Sequence, residues 1–370
     1  MPRIFIIDNA LTPAHFGVTA SIWANQHQLP LWSLRPSFEG DYPDSHQHVC
    51  HSGYCVTSGL YRSDTLEAEV TDIEQLKNSP EHCVIVLSST DKNRISSFSG
   101  TRFVSSLQDD KLILADSNNQ SLLELRCDHF GRWSTKPYEK QSQALPIAII
   151  ARKADQCDAY PAILGALGDA AQMLKTDVAI SFIAPSEVSQ ELSNLKNFAG
   201  IILPGGSSMQ AVKAQIQVAK TTLSQQLPTL GLCLGMQSMA TAIVQTYPEF
   251  AKAMLEELDA SAPVLSFTAF SDHRHRCGLF PITPIKPLCR LMGSGSMHYN
   301  HRYQFNPALT DYLTAQQISI SATTGDIVEA ISHQTHPFWH GVQGHPELAS
   351  RTGAPHPLFS AFLNHCQSQI

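Results

Sequence analysis

The chain reads as an α/β protein: a mostly parallel sheet flanked by helices over residues 146–370, preceded by a smaller α+β or β-rich domain over residues 1–145. Three observations support this reading. From Pro146 onward, short apolar runs alternate with helix-length periodic runs. Before Pro146, apolar and polar residues alternate with period two around turn clusters. At 370 residues the chain also exceeds the usual size of one hydrophobic core, so two domains are expected.

Taken in order, RIFIID opens the chain as a short apolar strand, followed by an irregular stretch containing Pro and His and then by CVIVLSS. The stretch FVSSLQDDKLILADSNNQSLLELRCDHFGRWS predicts antiparallel hairpins turning at DD and DSNNQ. KPYEKQSQALP is polar and flanked by Pro, as a linker would be. Beyond it, PIAIIA, VAISFIAP, FAGIILPGG and PTLGLCLG read as buried strands. YPAILGALGDAAQML, MQAVKAQIQVAKTTLSQQ and MQSMATAIVQTY read as the helices between and after them. Such alternation implies parallel strands covered on both faces.

Composition narrows the function classes. The net charge of -7 argues against a broad electrostatic partnership with nucleic acid or an anionic membrane. No window approaches the run of about 18 apolar residues that a membrane helix needs, and MPRIFIIDNALTPAHF does not have the form of a signal peptide, so a cytoplasmic location is expected. Nine scattered cysteines do not form a disulfide framework.

The first chemical signal is Gly231-Leu-Cys-Leu-Gly235, of the form G-x-C-x-G at a strand-to-helix junction. Small flanking residues let the chain turn sharply and expose the central side chain above the sheet edge. A thiol at a helix N-terminus is also favoured as the thiolate, the form that attacks a carbonyl. An isolated cysteine would read as a small buried hydrophobe, but the glycines, the strand and the helix around Cys233 favour a nucleophile.

A nucleophile needs a base. FWHGVQGHPELASR supplies His345 and, two residues later, Glu347. In extended backbone residues i and i+2 project to one side, so the carboxylate can orient the imidazole while the other ring nitrogen faces the thiol. With 17 histidines in the chain, His-Pro-Glu gains its weight from the pairing with the elbow far upstream. A third element, Leu203-Pro-Gly-Gly206, ends a strand that precedes the elbow. Its glycines could bring backbone N–H groups to a developing oxyanion, with the Leu234 amide as second donor, or could simply make a turn.

Together GLCLGMQ, the PGG turn and GVQGHPE resemble the class I glutamine amidotransferases, and within them the C-terminal glutaminase domain of CTP synthase. YPAILGALGDAA, HRCGLFPI, HRYQFNP, DIVEAI and GVQGHPELASRTGAPHPLF extend the likeness over roughly residues 146 to 366. The resemblance implies Cys233 as nucleophile, His345 as general base and Glu347 as its orienting acid. It further implies Gly206 and Leu234 as oxyanion-hole amides, and Gly205 and Gln237 as substrate-binding positions. Arg302 would hold the substrate α-carboxylate and Glu257 the amino group. L-glutamine is the implied substrate, no cofactor or metal is implied at the site, and the released ammonia would pass to an acceptor.

The departures are specific. Residues 1–145 contain no G-x-x-x-x-G-K-[ST] and are too short for the family's ATP-dependent synthetase domain, so the acceptor site is expected in that N-terminal domain or on a synthetase or acceptor protein in trans. The family stretch R-H-R-H-R-Y-E reads H-Y-N-H-R-Y-Q from His298 to Gln304, and Gly344 stands where an aromatic usually precedes His-Pro-Glu. Two rival readings follow: a hydrolase of another γ-glutamyl compound, and a regulatory or binding module that keeps the fold without turnover.

Elsewhere, His46, His48, Cys50, His51 and Cys55 gather borderline-soft ligands in ten residues, but without paired C-x-x-C spacing they read as a His-rich surface loop rather than a zinc module. His273 and His275 read as a solvated loop with a role in anion binding left open, and Trp32 and Trp133 as core.

Overall fold

In the computed structural model, residues 2–38, 66–141, 143–206, 209–292 and 295–368 are described, so the His46–Cys55 cluster lies outside the described residues. The chain forms two compact units, one of Met1–Lys140 with Ala154–Gly165 and one of Gln141–Lys153 with Ala166–Ile370.

The first unit is built on strands β1 (Ile4–Asp8), β2 (Leu31–Leu34), β3 (Leu66–Val70), β4 (Val84–Ser88), β5 (Thr101–Gln108), β6 (Lys111–Ala115), β7 (Ser121–Cys127) and β8 (Trp133–Ser134), with one helix, α1 (Val18–His27). They make one sheet in the order β3-β2-β4-β1-β5-β6-β7-β8. The first five strands are parallel and the last three antiparallel. All five residues of β4 are buried, as a parallel strand covered on both faces requires. One face packs Ile4, Ile6, Val84 and Val86 against α1, and the other packs Phe5, Ile85 and Leu87 against Ile73 and Leu76. The hairpins expected from the sequence are present: Asp109 and Asp110, both at positive φ, turn β5 into β6, and Asn119 does the same between β6 and β7. The parallel half is the part the sequence reading did not resolve.

The segment Ala154–Gly165 clusters with this unit, and Asp158 accepts a backbone hydrogen bond from Ala14 at 2.9 Å. The expected linker proves structured at its end: the Gln141 amide donates to Asp177 at 2.7 Å and β9 (Ala144–Ile149) begins before Pro146.

The second unit's main sheet adds to β9 the strands β10 (Asp177–Phe182), β11 (Gly200–Leu203) and β12 (Thr229–Leu232). Two pairs of short strands make small separate sheets: β13 (Met254–Leu255) with β14 (Leu265–Ala269), and β15 (Arg276–Pro281) with β17 (Ser296–His301). β18 (Tyr303–Phe305) completes the first of these. β16 (Thr283–Pro284), β19 (Ile318–Thr324), β20 (Ile327–His333) and β21 (Trp339–Val342) return to the main sheet, whose order is β10-β9-β11-β12-β21-β20-β19-β16. The five strands from β10 to β21 are parallel, while β20, β19 and β16 run antiparallel, so the sheet is mixed. Helices α2 (Ala162–Leu174), α3 (Gln210–Ser224), α4 (Leu234–Val244) and α5 (Pro357–Gln367) complete the principal elements. β11 and β12 are wholly buried, as is every residue of α4.

Several buried histidines belong to this unit. Burial pushes His301 and His340 down to about 3, and His336 and His356 down to about 4. In the unfolded chain each titrates near 6.5, so between about pH 6.5 and 4 the unfolded state binds more protons and stability falls as pH falls. Asp8 in the first unit runs the other way: burial raises it from 3.8 to about 7, so its contribution is lost as pH rises through that window. Glu329 and His345, both raised, run the same way as Asp8, and the four lowered imidazoles outnumber these three. Calorimetry at pH 5 should show the main transition at least about 5 °C below its position at pH 7.5, and an unchanged or higher transition would contradict the neutral, buried state of these rings.

Candidate active site

The elbow is a consequence of close backbone approach. Cys233 follows β12 and caps α4 with φ 49° and ψ -108°, outside the regions that a non-glycine residue normally occupies. Its N–H donates to the Val342 carbonyl at 2.8 Å, which ties the strained turn to the neighbouring strand. A Cβ at Gly235 would lie 1.9 Å from the Leu203 carbonyl oxygen, and one at Gly231 would lie 2.3 Å from Met239 Sδ and 2.9 Å from the Gly235 carbonyl carbon. Glycine is therefore required on both flanks, as the G-x-C-x-G pattern implied. Leu234, the first residue of α4, has an amide with no acceptor within the helix.

The imidazole is brought by the next strand. β21 pairs with β12 in parallel register, Leu232 opposite Val342, so the residues that follow, Cys233 and Gln343, leave the sheet side by side. His345 is fully buried and its Nδ1 lies 2.8 Å from Glu347 Oε1. Burial alone would favour the neutral ring, but the Glu347 carboxylate and the Cys233 side chain outweigh it and raise the His345 pKa. These neighbours favour the charged imidazolium form of His345. The His345 N–H also donates to the His298 carbonyl at 2.8 Å, so β17 fixes the backbone under the ring.

Gly205 and Gly206 follow β11 at the same edge. A Cβ on Gly205 would stand 3.1 Å from Cys233 Cβ and 3.3 Å from His345 Cε1, which places this backbone directly against the pair. Gly206 has φ 149°, and among the described residues no atom lies within 4 Å of where its side chain would begin. Gln237 is buried one turn into α4, and its Nε2 donates to Gln343 Oε1 at 3.2 Å. Arg302 and Glu257 are exposed, and the structure groups them around Tyr303, whose phenol is raised first by burial and then by Glu257 and Glu256.

Three features were not assigned from sequence. Gln343, inside the GVQGHPE motif, donates from Nε2 to Cys233 Sγ at 3.7 Å. Arg276 and Glu329 form a buried ion pair at 2.6 Å, and Arg276 Nη1 also donates to His301 Nε2 at 3.0 Å. That leaves the His301 proton on Nδ1, which donates to the Tyr303 carbonyl at 2.7 Å and so brackets Arg302. Finally, a Cβ on Gly344 would meet Met297 Sδ at 2.4 Å and the His298 carbonyl at 3.0 Å. Met297 fills the space beside Gly344, which accounts for the absence of an aromatic there. His273 is exposed and His275 bonds Asn300 at 2.6 Å. Among the described residues no group of three His, Cys, Asp or Glu could hold a metal, and no helix is long and apolar enough to cross a membrane.

Comparison with known proteins gives one family. The family described as Glutamine amidotransferase class-I matches residues 157–365, more than half of the chain. A CTP synthase from Picosynechococcus is 28% identical over 259 residues, covering 65% of this chain and 47% of that protein. A CTP synthase from Prochlorococcus marinus is 25% identical over 388 residues, covering 92% of this chain and 69% of that protein. The chain spans about half the length of the first curated relatives it matches. The glutaminase domain of Trypanosoma brucei CTPS, solved with bound acivicin, superposes with a TM-score of 0.58 at 21% identity and covers 61% of this chain and 94% of that domain, which shows a shared fold.

Two glycines make contrasting variants. Gly235→Ala should lower the melting temperature by more than about 5 °C, because its Cβ meets backbone that cannot retreat. Gly205→Ala should fold but label Cys233 with iodoacetamide several times more slowly. Equal labelling of parent and Gly205→Ala, followed by peptide mass mapping, would show that this backbone does not border the thiol.

Proposed function

Because the chain belongs to the class-I glutamine amidotransferases, we propose that it hydrolyses the side-chain amide of L-glutamine and releases ammonia. The observation that carries this reading is the strained Cys233 elbow set against the buried His345–Glu347 pair. Cys233 Sγ attacks the amide carbon and the carbonyl oxygen takes the negative charge, with the amides of Gly206 and Leu234 as its donors. His345, held as imidazolium, gives a proton to the leaving nitrogen, so that ammonia departs and a γ-glutamyl thioester remains. The neutral ring then takes a proton from water, which attacks the thioester and restores the thiolate–imidazolium pair.

Arg302 suits the substrate α-carboxylate as a planar two-pronged donor, and Glu257 suits the ammonium group. Gly205 and Gln237 border the side chain being cleaved. The curated relatives are CTP synthases, which supports amination of an acceptor by the released ammonia. A second reading, hydrolysis of a different γ-glutamyl compound, is favoured by Gly344 and by the HYNHRYQ stretch near the site.

Ammonia release measured by a coupled dehydrogenase assay should vanish in Cys233→Ala and fall about 100-fold or more in Glu347→Gln. Arg302→Ala should act chiefly on KM, raising it about tenfold or more. Release from other γ-glutamyl amides but not from glutamine would transfer the assignment to the second reading. Full activity in Cys233→Ala would end both.

A further inference from the structure

We infer that Gln343 is a catalytic residue that donates a hydrogen bond to the Cys233 thiolate, and that this bond sets the polarity of Gln237, leaving a buried carbonyl oxygen to accept an N–H from the substrate. The inference rests on the reading of Cys233 as the nucleophile.

The geometry is a short relay. Gln343 is 1% exposed, and its backbone N–H donates to the Glu329 carbonyl at 2.8 Å, so its main chain is pinned to β20. The parallel register of β12 and β21 brings Gln343 out of the sheet beside Cys233. Its Nε2 lies 3.7 Å from Cys233 Sγ, and its Oε1 accepts from Gln237 Nε2 at 3.2 Å. Each amide could in principle be turned end for end, which would reverse the whole relay. The sulfur decides the matter. A thiolate carries only lone pairs, so an amide oxygen against it is repelled while an amide NH₂ is attracted. With the NH₂ of Gln343 on the sulfur, its oxygen must face Gln237, and Gln237 must donate.

Gln237 is then left with Oε1 turned away from the relay. That atom is buried and has no hydrogen-bond partner among the described residues. A buried carbonyl without a donor is costly unless a ligand supplies one. A substrate amide or ammonium N–H does so. Thiolate stabilisation and recognition of a nitrogen-bearing substrate are therefore two ends of one chain of donors.

The test uses the full-length protein and needs no turnover. Alkylation of Cys233 by iodoacetamide, followed by peptide mass mapping from pH 5 to 10, gives its pH profile, with the other eight cysteines as folding controls. Gln343→Glu replaces the donor with an oxygen of the same shape, and Gln343→Met removes it without adding charge. Both should move the profile upward, Gln343→Glu by about one pH unit, with a tenfold slower reaction at pH 7. Glutamine hydrolysis by the parent is measured in parallel. A shifted profile in a parent that releases no ammonia would keep the inference and end the glutaminase reading. Superimposable profiles with intact turnover would end the inference alone, as would a parent Cys233 that does not alkylate at any pH.

Discussion

The site depends on how closely α4 is seated on β11. Backbone meets backbone there: Gly235 packs on the Leu203 carbonyl with no room for a single carbon between them. That seating lifts the first turn of the helix to the carboxyl edge of the sheet and forces Cys233 into its positive-φ conformation. Such a backbone costs roughly 1–3 kcal/mol. The cost is offset by surroundings that have no alternative arrangement, since all eleven residues of α4 are buried and the Cys233 N–H is already committed to Val342.

The remaining groups reach the thiol along independent routes that share this edge. β21 delivers Gln343 through strand register, and the irregular turn after it delivers His345 and Glu347. β17 supports that turn from below through the His298 carbonyl. Behind it, Arg276, Glu329 and His301 form a buried ionic cluster in which the guanidinium lies 4.4 Å from the centre of the Tyr299 ring. Removing either charge would strand the other in the interior. The cluster therefore holds β15, β17 and β20 in one arrangement, and through the His301–Tyr303 bond it shapes the bend carrying Arg302.

Much of this was legible in the sequence where the cause is local. The glycines around Cys233 announce themselves because the constraint acts within five residues; His345 and Glu347 do meet, but through the 3₁₀ turn Pro346–Ala349 and not through the extended backbone that their i, i+2 spacing suggested. The alternation of strands and helices after Pro146 was legible for the same reason. The contact of Gln343 with Cys233 was not, because it follows from pairing two strands 110 residues apart. The Arg276–Glu329 pair spans 53 residues and looks in sequence like two unrelated surface charges. In the first unit β2 and β3 are four and five residues long, and LEAEV carries two glutamates, so neither shows the unbroken apolar run that marks a parallel strand.

Met297 and Gly344 share one space beside His345. While methionine occupies position 297, a side chain at 344 must push its thioether aside, and it would still stand only 3.0 Å from the His298 carbonyl. An aromatic of the usual family kind can enter at 344 only after the side chain at 297 has been shortened, and the intermediate with a short residue facing glycine would carry a void beside His345. The sizes of the two side chains beside His345 are thus coupled: bulk added at 344 has to be taken from, or moved aside at, 297.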